Sequence, residues 1–481
     1  MRHFLWALLP LFGCHWVFGV DGQDSPSDAP EPRVTFSVEV AEVNSRLRVS
    51  PGMLDLANSY VRLYDTTPTS RVPLVETAAG EYAAAVPDGA SFDIVWQVVD
   101  DVVRVQRTQD RAQSWTYQLM GRLDEVAPGA DDRLDMSITL ATQWDKESSA
   151  QLHVAGAWSY LPLASPVFGA LRLDRPGGLW SDVISLSARP DARPDSERGD
   201  RVSFLRYRQN AYASFLYESL LLPTLDYRAG GTTVIAGTAT LVGLAHQMAT
   251  VLQDDRSAER LATTRPAMPP PAATWGIYSV PAFPPSLVSI RLASGSQTVT
   301  LPYTLNLSYG DPFGGRRLML FNQYTSRSAS LPILGTVSLQ AGLYAWVDAA
   351  EAAAQIKTDA SLPLTVTLAG AELANDAFVL SANPASELPI SFTVDGNADN
   401  YQATLYEIEP APAGSTIIFR AVLSSTVDAN FVLPAGTLAP GRTYFIRAVT
   451  YRGYETTASD RRVPRLPFRV GYLDSGTFSI P

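Results

Sequence analysis

The chain has 481 residues, 46% hydrophobic and 18% charged, which predicts a globular protein of about two to four domains at roughly 100–200 residues each. A formal net charge of −11 leaves no electrostatic footprint for nucleic acid, whose binding rests on phosphate neutralisation. One cysteine excludes an intrachain disulfide, a multi-cysteine zinc site and an iron–sulfur cluster, and the four histidines leave little for acid–base or metal chemistry.

Residues 1–22 read as a secretory signal. Arg2 supplies a positive n-region and Phe4 to Leu11 an apolar h-region broken by Pro10, with Gly13, Gly19 and Gly22 as the small residues that follow. The apolar stretch is too short and interrupted for a spanning helix. Two processing routes are open. Leu11-Phe12-Gly13-Cys14 resembles a bacterial lipobox, which implies that Cys14 becomes a lipidated first residue, although Phe12 and the apolar run His15 to Val20 depart from the usual pattern. A signal peptidase cutting after Gly19 or Gly22, with Val17 or Val20 placed ahead of the cut, is the other route. Both routes place the protein outside the cytoplasm, in the periplasm or on the outer surface, and the first anchors it to a membrane.

Residues 23–33 (QDSPSDAPEPR) are rich in proline and acid and read as a flexible tether. From Val34 the pattern changes to a period of two. Val34 to Val40 alternates, and Val61 to Asp65, Phe92 to Trp96, Arg133 to Thr142 and Gln151 to Trp158 continue it, with a turn at Pro87-Asp88-Gly89. Short strands between Gly, Pro and Asp predict a β-sandwich domain over 34–187, not a βαβ nucleotide fold.

Residues 188–265 break this rhythm. Residues 188–201 are charged and interrupted by proline. Phe204, Leu205, Tyr207, Tyr212, Phe215, Leu216 and Leu220 then follow helical spacing up to Pro223, and no charged side chain lies between Arg228 and Asp254. The spacing predicts a helical insert at 204–252 packed on the sandwiches. A membrane hairpin is the second reading, because Gly237 and Gly243 lie among small residues. Glu218, His246 and Gln247 count against a span, and buried strands are the third reading.

Met268-Pro-Pro-Pro271 opens the next unit, a second sandwich over 266–377. Its strands are Val288 to Leu292, Thr298 to Leu307, Leu318 to Phe321, Leu343 to Val347 and Leu362 to Leu368, with a turn at 311–315 and a short helix at 349–354.

In the last unit, 378–481, Ile390-Ser-Phe392-Thr-Val394 and Tyr401 to Tyr406 flank Asp395 to Asn400 (DGNADN). Leu438-Ala-Pro440-Gly441-Arg-Thr-Tyr444 then leads into Phe445 to Val449. These stretches resemble strand B, the BC loop, strand C, and the L-x-P-G-x-x-Y corner with strand F of a fibronectin type III domain, over about residues 378–472. The resemblance implies that Tyr444, with Leu438, Pro440 and Gly441, locks the corner by bonding nearby backbone. Phe392 stands where many members carry tryptophan. Gly80-Glu-Tyr82 and Gly342-Leu-Tyr344 repeat the device loosely, a glycine turn followed by an aromatic, as one signature per module. The expected fold is mainly β, with tandem Ig-like or fibronectin type III-like sandwiches and a helical insert.

No G-x-S-x-G, H-E-x-x-H, P-loop or G-x-G-x-x-G motif occurs. His153 reads as a solvent-face strand residue and His246 as a helix polar-face residue. The acidic pairs Asp100-Asp101, Asp131-Asp132 and Asp254-Asp255 are sequence neighbours, which on a strand point to opposite faces. Asp395, Asn397 and Asp399 supply oxygens at alternate positions, as a calcium loop requires, but Asn400 replaces its glycine and Tyr406 its closing glutamate. The expectation is a non-catalytic envelope scaffold or binding protein without cofactor. It displays sandwich modules to a protein or glycan and meets the membrane through an N-terminal lipid or the 204–252 segment. The alternatives are an integral membrane component with a helical hairpin at 204–252, or a carbohydrate-active enzyme bearing accessory modules.

Overall fold

The computed structural model describes residues 33–42, 55–64, 70–97, 102–119, 131–145, 147–154, 159–163, 179–185, 202–209, 213–222, 225, 230–252, 288–290, 303–312, 318–348, 361–411, 414–454 and 464–481. The expected strands within these bounds form, and the one helical element among the described residues is a three-residue turn, Leu56–Asn58. The leader, Cys14, residues 23–32 of the tether, Asp100-Asp101, Asp254-Asp255 and the expected helix at 349–354 lie outside the described residues.

The first sandwich closes two sheets over Val34, Phe36, Val61, Leu63, Phe92, Ile94 and Trp96. One sheet runs Val75–Ala78, Glu81–Ala85, Arg33–Glu42, Ala112–Leu119, the last two parallel. The other runs Val103–Thr108, Phe92–Gln97, Tyr60–Leu63, Ser70–Pro73. Alternation decides which residues enter the core: Val34 and Phe36 are buried while Arg33 and Thr35 are exposed. The Pro87-Asp88-Gly89 turn closes with the Ala90 amide donating to the Pro87 carbonyl at 3.3 Å, and Gly89 takes φ +76°.

The expected helical insert is instead part of a second sandwich. Val202–Gln209 and Ala213–Leu222 are an antiparallel hairpin. Val202–Gln209 also pairs with Ser148–Val154, and Thr232–Thr238 pairs in parallel with Arg133–Thr139. The membrane-hairpin reading falls with the helices, and no helix among the described residues is long and apolar enough to cross a membrane. The physical cause of the misreading is burial on both sides. Residues 202–207 are all buried, so the period of two is erased, as in a central strand, and a helical spacing can be drawn through what remains. The expected boundary at 187/188 therefore falls inside this sandwich, whose core joins Leu134, Met136, Ile138 and Leu152 to Val202, Phe204 and Ile235. His246–Leu252, from the uncharged run, pairs with Tyr303–Tyr309.

The last sandwich includes Leu362–Leu368, which lies ahead of the expected start at 378. Leu362–Leu368, Leu388–Asp395 and Asn430–Leu433 form one sheet, and Gly414–Ser425, Asn400–Ala411, Thr443–Tyr454 and Pro464–Asp474 the other. Gly471 sits where these sheets meet. A Cβ there would come within 2.2 Å of the Ser361 carbonyl, so no larger residue fits.

This second sheet does not end at its own module. Its edge strand Gly414–Ser425 pairs in parallel with Val103–Thr108 of the first sandwich. Its opposite edge, Pro464–Asp474, pairs with Gly335–Asp348 of a long hairpin whose other arm is Leu318–Leu331. The result is one continuous 12-stranded sheet. Gly342 lies in mid-strand within that hairpin, opposite Tyr324 and Tyr472, so the glycine turn expected there does not form, whereas Gly80 does turn, at φ +76°.

Candidate functional site

The strands that carry the inter-module joint are buried on both faces. Val61, Leu63, Phe92, Ile94 and Trp96 close on the first sandwich's core. On the opposite face Val95 and Val105 enter the core of the last sandwich beside Leu405, Leu423 and Phe431, with Tyr60 and Val103 packed against them. That second face also carries charge. The register sets Asp93 directly between Arg62 and Arg107 on neighbouring strands.

Asp93 and Arg62 side chains are both 0% exposed, with Arg62 Nη2 donating to Asp93 Oδ2 at 2.7 Å. Arg107 Nε approaches Asp93 Oδ1 at 3.3 Å, and the Tyr64 hydroxyl donates to the same carboxylate. Both arginines also reach across the joint. Arg62 Nη2 donates to the Val432 carbonyl at 2.9 Å, and its Nη1 lies 3.2 Å from Glu387. Arg107 Nη1 donates to the Asn430 carbonyl at 2.9 Å and lies 3.4 Å from Asp428. The Arg107 guanidinium also sits 4.7 Å over the Tyr64 ring. A planar fork spreads five donors over three nitrogens and so serves a carboxylate and a carbonyl on different modules in fixed geometry, whereas an ammonium has three donors on a single nitrogen.

Burial pushes the Tyr64 hydroxyl above its ordinary pKa, and the Asp93 charge pushes it further, so the phenol keeps its proton and donates. Burial alone would lower Arg62, but the Asp93 charge and hydrogen bond outweigh it and the guanidinium is held firmly protonated. Every charge in the cluster is engaged by an opposite one. Its chemistry is that of a weld between modules, with the proton of Tyr64 fixed on the phenol.

The joint to the hairpin uses the same construction. Arg447 grips Asp474 through Nε at 2.6 Å and Nη2 at 2.9 Å, and the Gln340 amide of the hairpin donates to Asp474 Oδ2 at 2.7 Å. Arg327 of the hairpin holds Asp376 in two bonds, Nη2 to Oδ1 at 2.8 Å and a second from Nη1. In the second sandwich, Arg206 and Glu218 face each other across the hairpin with side chains 1% and 0% exposed and Nη1–Oε1 at 2.9 Å. Ser148, Thr142 and the carbonyl of Gln143 take the other Arg206 donors, and Trp144 lies 5.1 Å from it. Glu218, which counted against a membrane span, is thus a buried cross-strand partner.

The corner residues come together. Ala439 N–H donates to the Tyr444 hydroxyl at 2.9 Å, and Leu438 and Tyr444 are buried. Gly441, after Pro440, takes φ +73° and donates its N–H to the Ile480 carbonyl at 2.8 Å. Phe392 fills the core against Phe431, centroids 5.9 Å apart. The calcium candidates are used otherwise. Asp399 accepts from the Gly453 amide at 2.7 Å, the Asn397 carbonyl accepts from Ser361, and Asp395 and Asn397 are exposed. No group of three His, Cys, Asp or Glu among the described residues could hold a metal ion. Asp131 and Asp132 lie in the turn ahead of the strand Arg133–Thr139; Asp131 is exposed, while buried Asp132 accepts from the Gly230 amide. His153 and His246 lie on strands, His246 correcting the helix expected there.

The joint residues Arg62, Tyr64, Asp93 and Arg107 escape sequence reasoning because the pairing that buries them joins segments 321 residues apart, as between Arg107 and Asp428. A weak signal exists in Phe92-Asp93-Ile94-Val95-Trp96, where an acid stands inside an otherwise apolar strand. No family model matches the chain, and no curated protein matches it.

Proposed function

We propose that the chain is an exported, non-catalytic protein of the bacterial cell envelope that carries a protein- or glycan-binding surface on a rigid β platform. The observation that carries this reading is the continuous 12-stranded sheet, which fuses the first sandwich, the last sandwich and the long hairpin edge to edge. Modules strung on flexible linkers move independently; modules sharing a core and a ladder hold their end loops in fixed relation. Buried arginine–carboxylate pairs lock both joints, so the charged groups that a catalytic cleft would use serve as internal fastenings.

The last sandwich supports a fibronectin type III-like reading. Leu388–Asp395, expected as strand B, lies in one sheet, Asn400–Ala411 and Thr443–Tyr454, expected as strands C and F, are neighbours in the other, and Tyr444 closes the corner. The Arg2 to Cys14 leader supports export, with lipidation at Cys14 or cleavage after Gly19 or Gly22 as its two routes.

Fractionation of native cells tests the reading. The protein is expected in the envelope fraction, resistant to carbonate and released by detergent if Cys14 is lipidated, or in the periplasmic extract if it is cleaved. Recovery in the soluble cytoplasmic fraction overturns the proposal.

A further inference from the structure

We propose that the tip of the long hairpin inserts Ile333 into the interfacial region of a zwitterionic lipid bilayer. Ile333 is 98% exposed, far more than any other large apolar residue described. It also sits at φ +72°, and the Leu334 amide donates across it to the Pro332 carbonyl at 2.8 Å. That is the strained form of the γ-turn, and a β-branched residue is among the least suited to it. Strain of this kind persists only where the surroundings enforce it, and it concentrates at sites of function.

The surroundings do enforce it. Leu331, Val337 and Leu339, on both arms beside the turn, are buried against Tyr406, Ile408 and Phe445, whose rings Tyr406 and Phe445 stack at 4.8 Å. Arg327 clamps the outer arm to Asp376, and the Gln340 amide ties the inner arm to Asp474. The tip is therefore a braced projection, with an isoleucine held outward at the end.

The rim selects the partner. Ser328, Ser330, Thr336 and Ser338 are exposed around the tip, and no charged residue occurs from Ser328 to Val347. An apolar point with a hydroxyl collar matches the step from acyl chains to headgroups, where hydroxyls find partners and no charge has to be desolvated. A protein partner is ordinarily steered and set in register by charged pairs at the rim, and this rim offers hydroxyls but no charge. The chain's net charge of −11 disfavours an anionic surface and leaves a zwitterionic one. The inference goes beyond the proposed display role and does not depend on the export route.

Purified full-length chain mixed with phosphatidylcholine vesicles tests it. Ile333→Asp is expected to lower the vesicle partition coefficient by about tenfold to a hundredfold, the range set by burying one isoleucine side chain. The apolar leader is common to both proteins, so the difference reports the tip alone. In a second variant, Ile333→Trp, the added emission is expected to be quenched by brominated phosphatidylcholine beyond any quenching of the wild type. Equal partitioning of Ile333→Asp and wild type overturns the proposal, as does added emission indifferent to brominated lipid. Occupancy by a protein pocket would give that second outcome.

Discussion

Replacing Asp93 by Asn probes the joint at its most buried point. The substitution keeps shape and removes the charge that holds Arg62 Nη2 at 2.7 Å and Arg107 Nε at 3.3 Å. Both Asp93 and Arg62 side chains are 0% exposed, so the guanidinium is left as an uncompensated buried charge, which costs about 3–5 kcal/mol. Glu387, 3.2 Å from Arg62 Nη1 but 26% exposed, remains as a partial counter-charge and puts the expected loss near the lower end, about 3 kcal/mol. Urea unfolding followed by tryptophan fluorescence, with Trp96 fully buried in the first sandwich, and by far-ultraviolet circular dichroism reads the effect. Because the two sandwiches share one core, both probes are expected to move to a lower midpoint with unchanged slope. A loss below about 1 kcal/mol refutes the reasoning, since a buried pair broken on one side cannot cost so little unless water already reaches it.

Three further outcomes follow from named contacts. Tyr444→Phe keeps the ring against Phe478 at 5.7 Å and loses only the acceptor for Ala439 N–H, so it is expected to cost about 1–2 kcal/mol in the same unfolding assay. Burial pushes the Tyr406 phenol up to about 12, above its ordinary value near 10. Its contribution is therefore complete below about pH 10 and is lost as pH rises through 12, and Tyr406→Phe is expected to flatten that alkaline fall in stability measured from urea midpoints across pH. For Arg206 and Glu218, either Arg206→Met or Glu218→Leu alone is expected to cost about 3–5 kcal/mol, and the double variant markedly less than the sum, read by a double-mutant cycle.

Local chemistry was legible and long-range pairing was not. The strand at Val34 to Val40, the turn at Pro87-Asp88-Gly89 and the Leu438-to-Tyr444 corner are set by neighbours in sequence, and each forms where alternation or turn residues place it. Residues 204–220 misled because a strand buried on both faces has no polar face to mark its period. The Arg206–Glu218 pair was hidden as well: counting back from Gln209 and Ser214 sets Arg206 opposite Tyr217, and only a bulge between Arg206 and Tyr207 shifts it onto Glu218. Basic residues are almost all arginine, with lysine only at 146 and 357. The structural use of this arginine excess emerges only when Arg62, Arg107 and Arg206 are seen to divide their donors between carboxylates and backbone. Beyond the acid inside Phe92 to Trp96 the joint left no trace, since parallel pairing of residues 103–107 with 421–425 depends on two modules meeting.

Hydrogen exchange of the full-length chain in rising urea tests the fused platform most directly. Amides of Val103 to Arg107 and of Ala421 to Ser425 lie on paired strands of one sheet. They are expected to exchange through a single opening, with the same free energy and the same dependence on urea. Exchange at Val103 to Arg107 through an opening that leaves Asn400–Ala411 and Thr443–Tyr454 fully protected contradicts the account.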